Sequence, residues 1–555
     1  MAEYEQYPLP PPAHGTDGEP AVHIAPPVPG RSEILALRAL QIGALAAVLV
    51  SVPWKEFELD RFYVPKELVL HLTAVTAGLF GLRAVRSMRF TAIDVLLMAF
   101  VAAGAVSSLF ATNGWIAMRS LTASASGVAI FLTARALRRE GLAPALLIWI
   151  ALAVVAGAIT SLLQTYGIET EFFSLNRAPG GSLGNRNSIA HMAAFGLPVI
   201  LLVALRAAHW WGWLIAGIGA TLVAAALVLT RSRAGFLACG AVLFVLVVAL
   251  IVSPALRRHG RTWVRLTVMI VLAGAGIVAA TFVPNSLNWR SDNPYLDSLT
   301  GVANYSEGSG RGRLVQYRQS LSMAAANPVL GVGPGNWAVE YPDYAADGDP
   351  SLSGSSPGMT SNPWPSSDWI AFISERGFAA AIVLALAFGA VAFRSLRQLM
   401  RDPDPEDALG AMALLAVLAA VVVAGMFDAV LLLAHPTLLV FATVGALLPL
   451  ASLATTESRR TLAGTAAMAV LLFMAAIGAL RSAAQLTGMG VYSNTSSTTW
   501  LSRASFIDPG GYDLHIRLAR GGSGMSREAR CEHALAARDL YPNAREARNL
   551  SDGCD

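Results

Sequence analysis

The stretch LTRSRAG, residues 229–235, joins two long apolar runs and contains two arginines. The run before it is AGIGATLVAAALVL (216–229), and the run after it is FLACGAVLFVLVVALIVS (236–253). Such runs are typical of membrane-spanning helices, so the stretch predicts a tight turn at a membrane boundary. Either arginine would cost about 2.5–3.5 kcal/mol near the middle of a bilayer. Arg231 and Arg233 therefore need lipid headgroups or a polar cavity around them.

The whole chain has the composition of a polytopic membrane protein. Of its 555 residues, 55% are hydrophobic and 14% are charged, and the mean hydropathy is +0.54. A water-soluble domain of this size does not have that balance. The net charge of +4 is small, and the basic residues cluster in short loops, which gives no support for nucleic-acid binding. Residues 1–30 are rich in Pro, Gly and Glu and are predicted to be disordered.

Hydropathy predicts about thirteen spanning helices, and the first is expected to be retained because no cleavable signal precedes it. The predicted spans are 34–53, 68–82, 93–111, 116–134, 142–163, 188–205, 212–230, 234–253, 264–283, 368–393, 409–433, 436–453 and 463–480. The expected fold is an all-α polytopic membrane protein with about 12–13 transmembrane helices. Residues 31–480 would form the membrane domain, with a long loop at 284–367, and residues 481–555 a small helical tail.

Arginine-rich connections recur at every second loop. Their arginines are Arg83, Arg86 and Arg89; Arg135, Arg138 and Arg139; Arg206; Arg257, Arg258 and Arg261; Arg394, Arg397 and Arg401; and Arg459 and Arg460. The positive-inside rule makes these loops and the N-terminus cytoplasmic. The loops at 54–67, 112–115, 164–187, 231–233, 284–367 and 434–435, and the tail, are then outside. Arg231 and Arg233 thus lie on the outer face, where they either reach the headgroups or bind an anion.

A second polar stretch, GGSLGNRNSIAH (180–191), precedes the sixth predicted span. Its glycines allow tight turns, and Asn187 or Ser188 is expected to cap the helix. Arg186 stands at that helix N-terminus, where exposed backbone N–H groups beside a guanidinium make an anion site. A glycine-rich turn with an N-cap, without any ligand, explains the same residues equally well.

The long loop contains GRGRLVQYRQSLSMAAANPVLGVGPGNW (310–337), which reads as an amphipathic helix stopped at Asn327-Pro328. Its polar side chains include Arg311, Arg313, Gln316, Tyr317 and Arg318. The turn GVGPGN (331–336) lacks the strand and helix that flank nucleotide-binding glycine loops. A loop of this length that contains a helix with a definite stop favours a functional lid over a linker.

The stretch SSDWIAFISERG (366–377) re-enters the membrane and brings Asp368 and Glu375 to the outer end of a span. A carboxylate facing an arginine-lined cavity could act as a general base, or it could interact only with the helix dipole. No metal-ligand cluster and no Ser-His-Asp or Cys-His arrangement stands out in the sequence.

Four ordered blocks make the chain resemble the O-antigen ligase and polysaccharide polymerase (Wzy-type) superfamily of bacterial membrane glycosyltransferases. The blocks are GNRNSIA (184–190), TRSRAG (230–235), RGRLVQYRQSLSMAAANPVLGVGPGNW (311–337) and DWIAFISERGF (368–378). The third is the most specific, because members carry an arginine-led helix, a proline and then G-x-G-x-G. The hydropathy extends the resemblance over about 34–480.

The resemblance implies a GT-C-like membrane enzyme of the bacterial inner membrane, with a periplasmic loop over a lipid-facing cavity. The donor would be a glycan on undecaprenyl pyrophosphate, and the acceptor lipid A–core for a ligase or another lipid-linked glycan for a polymerase. No metal or other cofactor is expected, because arginines would neutralise the pyrophosphate. The residues implied in this binding are Arg233 and Arg313, with Tyr317 as the usual aromatic, and less directly Arg186, Asn187, Arg231 and Arg311.

One expected residue is missing. Ligases of this kind carry H-[NSQ]-x9-G, whose histidine activates the acceptor hydroxyl. With Gly377 as the glycine, Ser366 occupies the histidine position. Serine is no general base near neutral pH. Asp368 is therefore the candidate base, unless this chain uses another acceptor or is inactive.

The tail, 481–555, is predicted to form short amphipathic helices similar to tetratricopeptide-like appendages of polymerase-type members. A Cys531–Cys554 disulfide is plausible in an oxidising compartment. The tail suits binding to a partner such as a chain-length regulator or another glycan-assembly protein, besides the lipid-linked donor, the acceptor and membrane lipids. Ligase and polymerase remain open, and a lipid-linked glycan transporter (flippase) or a non-catalytic scaffold are alternatives of another class. A transporter would favour internal repeats, which the sequence lacks.

Overall fold

A computed structural model describes residues 29–174, 176–289, 291, 294–301, 308–449, 460–521 and 525–554. Most of the stretch predicted to be disordered, residues 1–28, and Arg459 of the last basic loop lie outside these residues. Across the described ranges the chain is helical, with a single antiparallel bridge between Leu352 and Thr360.

The helices are numbered in chain order. The first ten are α1 (Arg31–Leu49), α2 (Asp60–Arg86), α3 (Ala92–Ser108), α4 (Gly114–Arg139), α5 (Ala143–Thr165), α6 (Arg186–Arg206), α7 (Trp210–Leu229), α8 (Arg233–Val252), α9 (Pro254–Arg258) and α10 (Gly260–Phe282). The long loop holds α11 (Pro294–Thr300), α12 (Gly308–Ala326) and α13 (Trp337–Glu340). They are followed by α14 (Asp368–Arg401), α15 (Pro405–Phe427), α16 (Ala434–Leu447) and α17 (Arg460–Asn494). The tail contains α18 (Thr498–Ile507), α19 (Tyr512–Arg520), α20 (Arg527–Leu540) and α21 (Arg545–Ser551).

Each predicted span coincides with a helix over most of its length, although residues 450–453 of the span predicted at 436–453 lie outside the described residues. Among the described residues, 11 helices are long and apolar enough to cross a membrane, and α3 and α16 are shorter apolar helices at two further predicted positions. The last span ends later than predicted, because α17 continues to Asn494 instead of stopping at 480. Its 35 residues make a rod of about 52 Å at 1.5 Å per residue, longer than the roughly 30 Å hydrocarbon core. The end of α17 therefore projects from the membrane and carries the tail.

Helix α6 is the most buried span and lies at the centre of the bundle, against α5, α7, α8 and α15. Helix α10 is the least buried and packs mainly on α7 at the periphery. Small residues permit these close approaches; a Cβ on Gly235 of α8 would come within 2.7 Å of the Cβ of Ala190 on α6. The N-terminus of α6 consequently lies where several helices converge.

The connections divide between two ends of the bundle, as the alternation of arginine-rich loops predicts. At one end, Arg139 donates to the carbonyl of Ser87 at 2.9 Å, and Arg206 pairs with Glu406 at 3.0 Å. At the other end, Ser286 N donates to Thr165 O at 2.9 Å. That second end, with the long loop and the tail, is called the site face below.

A partly buried ion network ties α2, α4 and α17 together near the site face. Arg119 of α4 donates to both carboxylate oxygens of Glu67, at 2.8 and 2.9 Å, and to Asp60 at 3.1 Å. Arg481 of α17 lies 4.0 Å from Glu67 and donates to the carbonyl of Trp115 at 3.1 Å. Buried charges are tolerated when they are paired in this way, and the pairs fix the helices relative to one another.

Residues 308–367, called the loop domain below, have a small core of their own. Met323, Trp337 and Tyr341 are fully buried in it. The Trp337 indole donates to Ser320 Oγ at 2.8 Å, and the Tyr341 hydroxyl donates to Asp349 at 2.8 Å. Helix α12 stops at Ala326, immediately before Asn327-Pro328, as the sequence predicts. This part of the long loop is therefore folded.

The glycine turn 331–335 wraps around a break in α14. Gly377 has φ 79° and ψ 168°, which interrupts the helix, and Phe378 N donates to Pro328 O instead of to a carbonyl of its own helix. The released carbonyls of Ser374 and Glu375 accept from Val332 N at 3.0 Å and Gly333 N at 2.9 Å. The turn thus satisfies backbone groups that the kink exposes, and the G-x-G-x-G pattern is a packing motif here.

The tail docks on the loop domain. Cys531 and Cys554 form a disulfide that joins α20 to the end of the chain. Asn113 Nδ2 donates to Leu540 O at 3.0 Å, and Arg545 N donates to Pro357 O at 3.0 Å. The tail, the loop domain and the membrane helices therefore form a continuous structure on the site face.

We expect Gly331→Ala to destabilise the protein much more than Gly348→Ala. Both glycines have positive φ, 66° and 77°, so alanine costs each about 1–2 kcal/mol of backbone strain. A Cβ on Gly331 would also collide with the carbonyl carbon of Glu375, whereas a Cβ on Gly348 meets nothing within 4 Å. Size-exclusion recovery and thermal unfolding of the purified variants measure the difference. Equal loss in both would contradict the packing role of the turn.

We expect α19 and α20 to separate more easily as the pH falls below about 6.5. His515 Nδ1 and His533 Nδ1 lie 3.1 Å apart, and His515 Nε2 lies 3.2 Å from Pro509 O. Only one of the two Nδ1 atoms can carry a proton in this contact, so the contact is lost when both rings are protonated. Burial lowers the pKa of both imidazoles, against the opposing charge of Glu532. The unfolded tail takes up protons near the ordinary pKa of about 6.5, so this stabilisation is complete above that pH and lost below it.

Hydrogen exchange of α19 amides at pH 7.5 and 5.5, corrected for intrinsic rates, tests this expectation. Burial raises the pKa of Asp513 to about 6, so this carboxyl titrates in the same pH range and changes stability in the opposite direction. The matched control is His533→Gln, because it removes the imidazole pair and keeps Asp513. A pH dependence equal in the wild type and the variant would refute the role of the pair.

Candidate functional site

The stretch that joins α7 to α8 is a tight turn at the site face, as predicted. Thr230 is fully buried, and its hydroxyl accepts from Ser232 N at 3.2 Å. The Ser232 side chain accepts from Gly235 N at 3.3 Å and caps α8. Arg233 is the first residue of α8, so the N-terminus of that helix lies at this turn.

Arg231 occupies a backbone conformation that favours glycine. Its φ is 55°, and its N–H donates to Val228 O at 3.1 Å to end α7. An arginine in the left-handed region costs about 1–2 kcal/mol relative to glycine. The side chain uses this position: Nε donates to Pro294 O at 2.9 Å and to Ser298 Oγ at 3.0 Å. Strain retained for a side chain in this way is typical of functional sites.

The ring of Trp289 brings two predicted site residues together. The guanidinium carbons of Arg231 and Arg186 lie 4.7 and 5.3 Å from the ring centroid. Two cations near one indole repel each other, and the ring faces offset part of that repulsion. Arg233 belongs to the same turn, and its guanidinium lies beside Gly301, where a Cβ would come within 2.9 Å of its Nη2. The three arginines thus border one region of the site face.

Helix α6 contributes through its first turns. The prediction that Asn187 or Ser188 caps this helix is wrong: Asn185 is the N-cap, and its side chain accepts from Asn187 N at 3.0 Å. Arg186 is then the first helical residue. The side chain of Asn187 is free to project from the helix, and its Nδ2 donates to Asp428 Oδ2 at 2.8 Å.

Sequence reasoning missed Asp428 and His191. Asp428 follows α15 directly, with a side chain 19% exposed, and its Oδ2 lies 3.9 Å from Nε2 of the buried His191. Asn187 and His191 are four residues apart on α6 and so share one helix face, a spacing that could have linked them. Asp428 carries no motif and is located only by the packing of α15 on α6.

Arg177 is a further missed residue. Its Nη2 donates to Asn362 Oδ1 at 3.2 Å, and its carbonyl accepts from Arg186 N at 3.1 Å. It also lies within charge–charge range of Arg186. A fourth cation is thereby joined to the group around Trp289, and it connects that group to the loop domain.

Helix α12 brings the loop domain to the site. The Tyr317 hydroxyl lies 2.7 Å from the carbonyl oxygens of both Ser366 and Met426, and Gln316 Oε1 accepts from Ser366 N at 2.6 Å. Arg313 is half-buried and within charge–charge range of His191, whereas Arg311 is exposed. Tyr317 therefore positions the backbone, and Arg313 faces the interior of the site.

Asp368 is fully buried at the start of α14. Its Oδ1 accepts from Val430 N at 2.9 Å, and its Oδ2 accepts from Leu431 N at 2.8 Å. Both carboxylate oxygens are thus engaged with the turn between α15 and α16. This is the geometry of a residue that positions the turn; its predicted role as a base stays untested.

Glu375, the other carboxylate of this stretch, accepts from Gly335 N at 2.7 Å and so belongs to the glycine turn. Among the described residues, no group of three His, Cys, Asp or Glu side chains is arranged to hold a metal ion. The groups that converge on the site are the charged arginines and Asp428, and the buried imidazole of His191.

We expect Tyr317→Phe to loosen α12 from the start of α14. Loss of the hydroxyl removes its contacts with Ser366 and Met426 but keeps the ring, at a cost of about 1 kcal/mol. Hydrogen exchange of residues 366–370 should accelerate about fivefold. Tyr344→Phe is the control, because within the described residues no hydrogen bond of that hydroxyl is found. Unchanged exchange in Tyr317→Phe would contradict this positioning role.

The comparison with known families matches the middle of the chain. Residues 218–358, about a quarter of the sequence, match the model of the family described as O-antigen ligase. This region includes the turn with Arg231 and Arg233, and most of the loop domain with Arg313 and Tyr317. No curated protein matches the chain. The match agrees with the resemblance drawn from the sequence and includes two of its four blocks, 230–235 and 311–337. The middle of this multi-pass membrane protein is thus similar to the O-antigen ligase family.

Proposed function

We propose that the protein is a membrane glycosyltransferase that moves a glycan from undecaprenyl pyrophosphate to an acceptor on the site face. The observation that carries the proposal is the convergence of Arg186, Arg231 and Arg233 within and beside the O-antigen ligase domain. A pyrophosphate leaving group develops negative charge as the glycosidic bond breaks. Fixed guanidinium groups stabilise that charge most effectively in a low-dielectric site, because they need no reorganisation.

Two helix N-termini add to this positive region. Helix α6 begins at Arg186 and α8 begins at Arg233, so backbone N–H groups of both helices face the site. Arginines and helix ends together can neutralise a pyrophosphate without a divalent cation, which supports metal-independent transfer. The apolar tail of the donor would lie in the bilayer beside the spans.

The arrangement favours a transferase over a flippase. The identified polar groups of the site come from the site-face ends of α6, α8 and α15 and from the loop domain. A transporter needs substrate contacts near the middle of the membrane so that either face can reach them. A scaffold without activity would not account for the strained backbone conformation of Arg231, whose φ is 55°.

Ligase and polymerase remain the two candidates within this proposal. The matching family description favours a ligase, with lipid A–core as the acceptor. The replacement of the motif histidine by Ser366 and the helical tail favour a polymerase, with a second lipid-linked glycan as the acceptor. The tail would then also offer a surface to a chain-length regulator or another assembly protein.

The proposed location is the bacterial inner membrane, with the N-terminus in the cytoplasm and the site face in the periplasm. The arginine-rich connections gather at the opposite end of the bundle, which agrees with the positive-inside rule. A disulfide in the tail suits an oxidising compartment.

Deletion of the gene and electrophoresis of lipopolysaccharide separate the candidates. Loss of all long chains on an intact core indicates a ligase, whereas core with a single repeat indicates a polymerase. Unchanged lipopolysaccharide together with loss of an exopolysaccharide would assign the enzyme to that glycan. If no surface glycan changes, the proposed function is wrong.

We expect Arg233→Ala and Arg313→Ala each to reduce glycan transfer by at least about 100-fold, the loss typical for one stabilising donor at a transition state. Transfer from a lipid-linked donor by purified protein measures this. Arg318→Ala is the matched control, because Arg318 lies on the same helix as Arg313 and is exposed. Wild-type transfer by Arg233→Ala would refute the pyrophosphate assignment.

A further inference from the structure

The position of the missing histidine lies directly beside the end of α15. The Tyr317 hydroxyl is 2.7 Å from both Ser366 O and Met426 O, so these two backbone segments are neighbours. Ser367 Oγ donates to Gly425 O at 2.9 Å and adds a second contact. Asp428 is the first residue after α15, two residues beyond Met426. A carboxylate thus emerges next to the position where the family pattern would place an imidazole.

The two oxygens of Asp428 have different surroundings. Oδ1 accepts from the neighbouring Ala429 N at 2.8 Å, a local contact that orients the side chain. Oδ2 accepts from Asn187 Nδ2 at 2.8 Å and lies 3.9 Å from His191 Nε2. The side chain is 19% exposed, so the carboxylate is held in place without being fully enclosed. A helix cap alone would not require the contacts on Oδ2.

His191 supplies an independent sign of a ligand. It is 98% buried, and its Nε2 has no hydrogen-bond partner among the described residues. A buried imidazole nitrogen without a partner is costly unless something occupies the space. The 3.9 Å to Asp428 Oδ2 is too long for a hydrogen bond. A ligand hydroxyl beside both atoms could bond to Oδ2 and Nε2 at once.

We propose that Asp428 is the general base that takes the proton from the acceptor hydroxyl, with Asn187 and His191 holding it and the hydroxyl in place. This inference rests on the proposed glycan transfer. The acceptor O–H proton moves to Asp428 Oδ2, and the acceptor oxygen forms a bond to the anomeric carbon of the donor glycan. The bond from that carbon to the phosphate oxygen breaks, and its electron pair leaves with undecaprenyl pyrophosphate.

Asp428, the proposed base, lies near the arginines proposed to bind the lipid-linked donor. Arg313 is within charge–charge range of His191, and Asn187 follows Arg186 in sequence. The pair Arg186-Asn187 therefore spans the site, with the guanidinium toward Trp289 and the amide toward Asp428. This places the proton acceptor and the cations for the leaving group at opposite sides of one region.

Asp368 acts through Asp428 in this arrangement. It accepts from Val430 N and Leu431 N and is fully buried, so it fixes the turn that begins at Asp428. Asp368 is thus a positioning residue, and its removal should displace the base without removing a proton acceptor.

The experiment compares Asp428→Asn, Asp428→Ala and Asp368→Asn in transfer of a lipid-linked glycan by the purified full chain. Asp428→Asn should lower turnover by about 100- to 10,000-fold, the usual contribution of a general base. It should leave intact the thermal shift on addition of undecaprenyl pyrophosphate. Sodium formate should restore part of the activity of Asp428→Ala and none of that of Asp368→Asn, because only the first vacates the base position.

The matched control is Asp404→Asn. Asp404 caps the other end of α15 by accepting from Glu406 N at 2.9 Å, and asparagine is an equally good cap. This variant should transfer at the wild-type rate. If Asp428→Asn is unfolded, Asp428→Glu and the formate response of Asp428→Ala still measure the role of the carboxylate.

The failures can be told apart. Wild-type turnover by Asp428→Asn, or formate rescue of Asp368→Asn instead of Asp428→Ala, overturns the assignment of the base and leaves the transferase intact. Absence of transfer by the wild-type protein with every lipid-linked glycan and acceptor overturns the proposed function and the base with it.

Discussion

The hydrogen bonds between the glycine turn 331–335 and the kinked backbone of α14 hold the site together. The kink at Gly377 leaves carbonyls of α14 without helical partners, and the turn supplies the missing N–H groups. A backbone this close tolerates no Cβ at Gly331 or Gly377. The loop domain is therefore joined to the membrane helices through main-chain contacts, and α12 is placed over the end of α15 as a consequence.

The candidate site results from convergence of ends that are distant in sequence. The N-termini of α6 and α8, the C-terminus of α15 and the loop helix α12 all reach the site face, and the short turn after α7 carries two arginines into it. The cations near Trp289 suit a pyrophosphate, and the pair of Asp428 and His191 suits a hydroxyl. In the proposed transfer, one set of packed helices would thus hold the leaving group and the proton acceptor apart.

Much of the fold was predictable because membrane helices must be long and apolar. The spans, the stop of α12 and the turn at 230–232 agree with the prediction, whereas the extension of α17 to Asn494 does not, because hydropathy marks the bilayer and not the helix end. The cap of α6 was misplaced by two residues, since Asn185 and Asn187 are equally good caps by type. Arg186, Arg231 and Arg233 were identifiable because an arginine at a membrane boundary costs free energy unless polar groups or water surround it.

The sequence by itself determined the class of protein, the alternation of its loops and the arginines at its site face. These follow from composition and short-range pattern, through the cost of placing polar groups in a bilayer. Tertiary structure alone decided that Asp368 is buried against the 430–431 backbone, and that Asp428 meets Asn187 and His191. Those contacts join residues some 60 to 240 positions apart, and only the packing of α14, α15 and α6 brings them together.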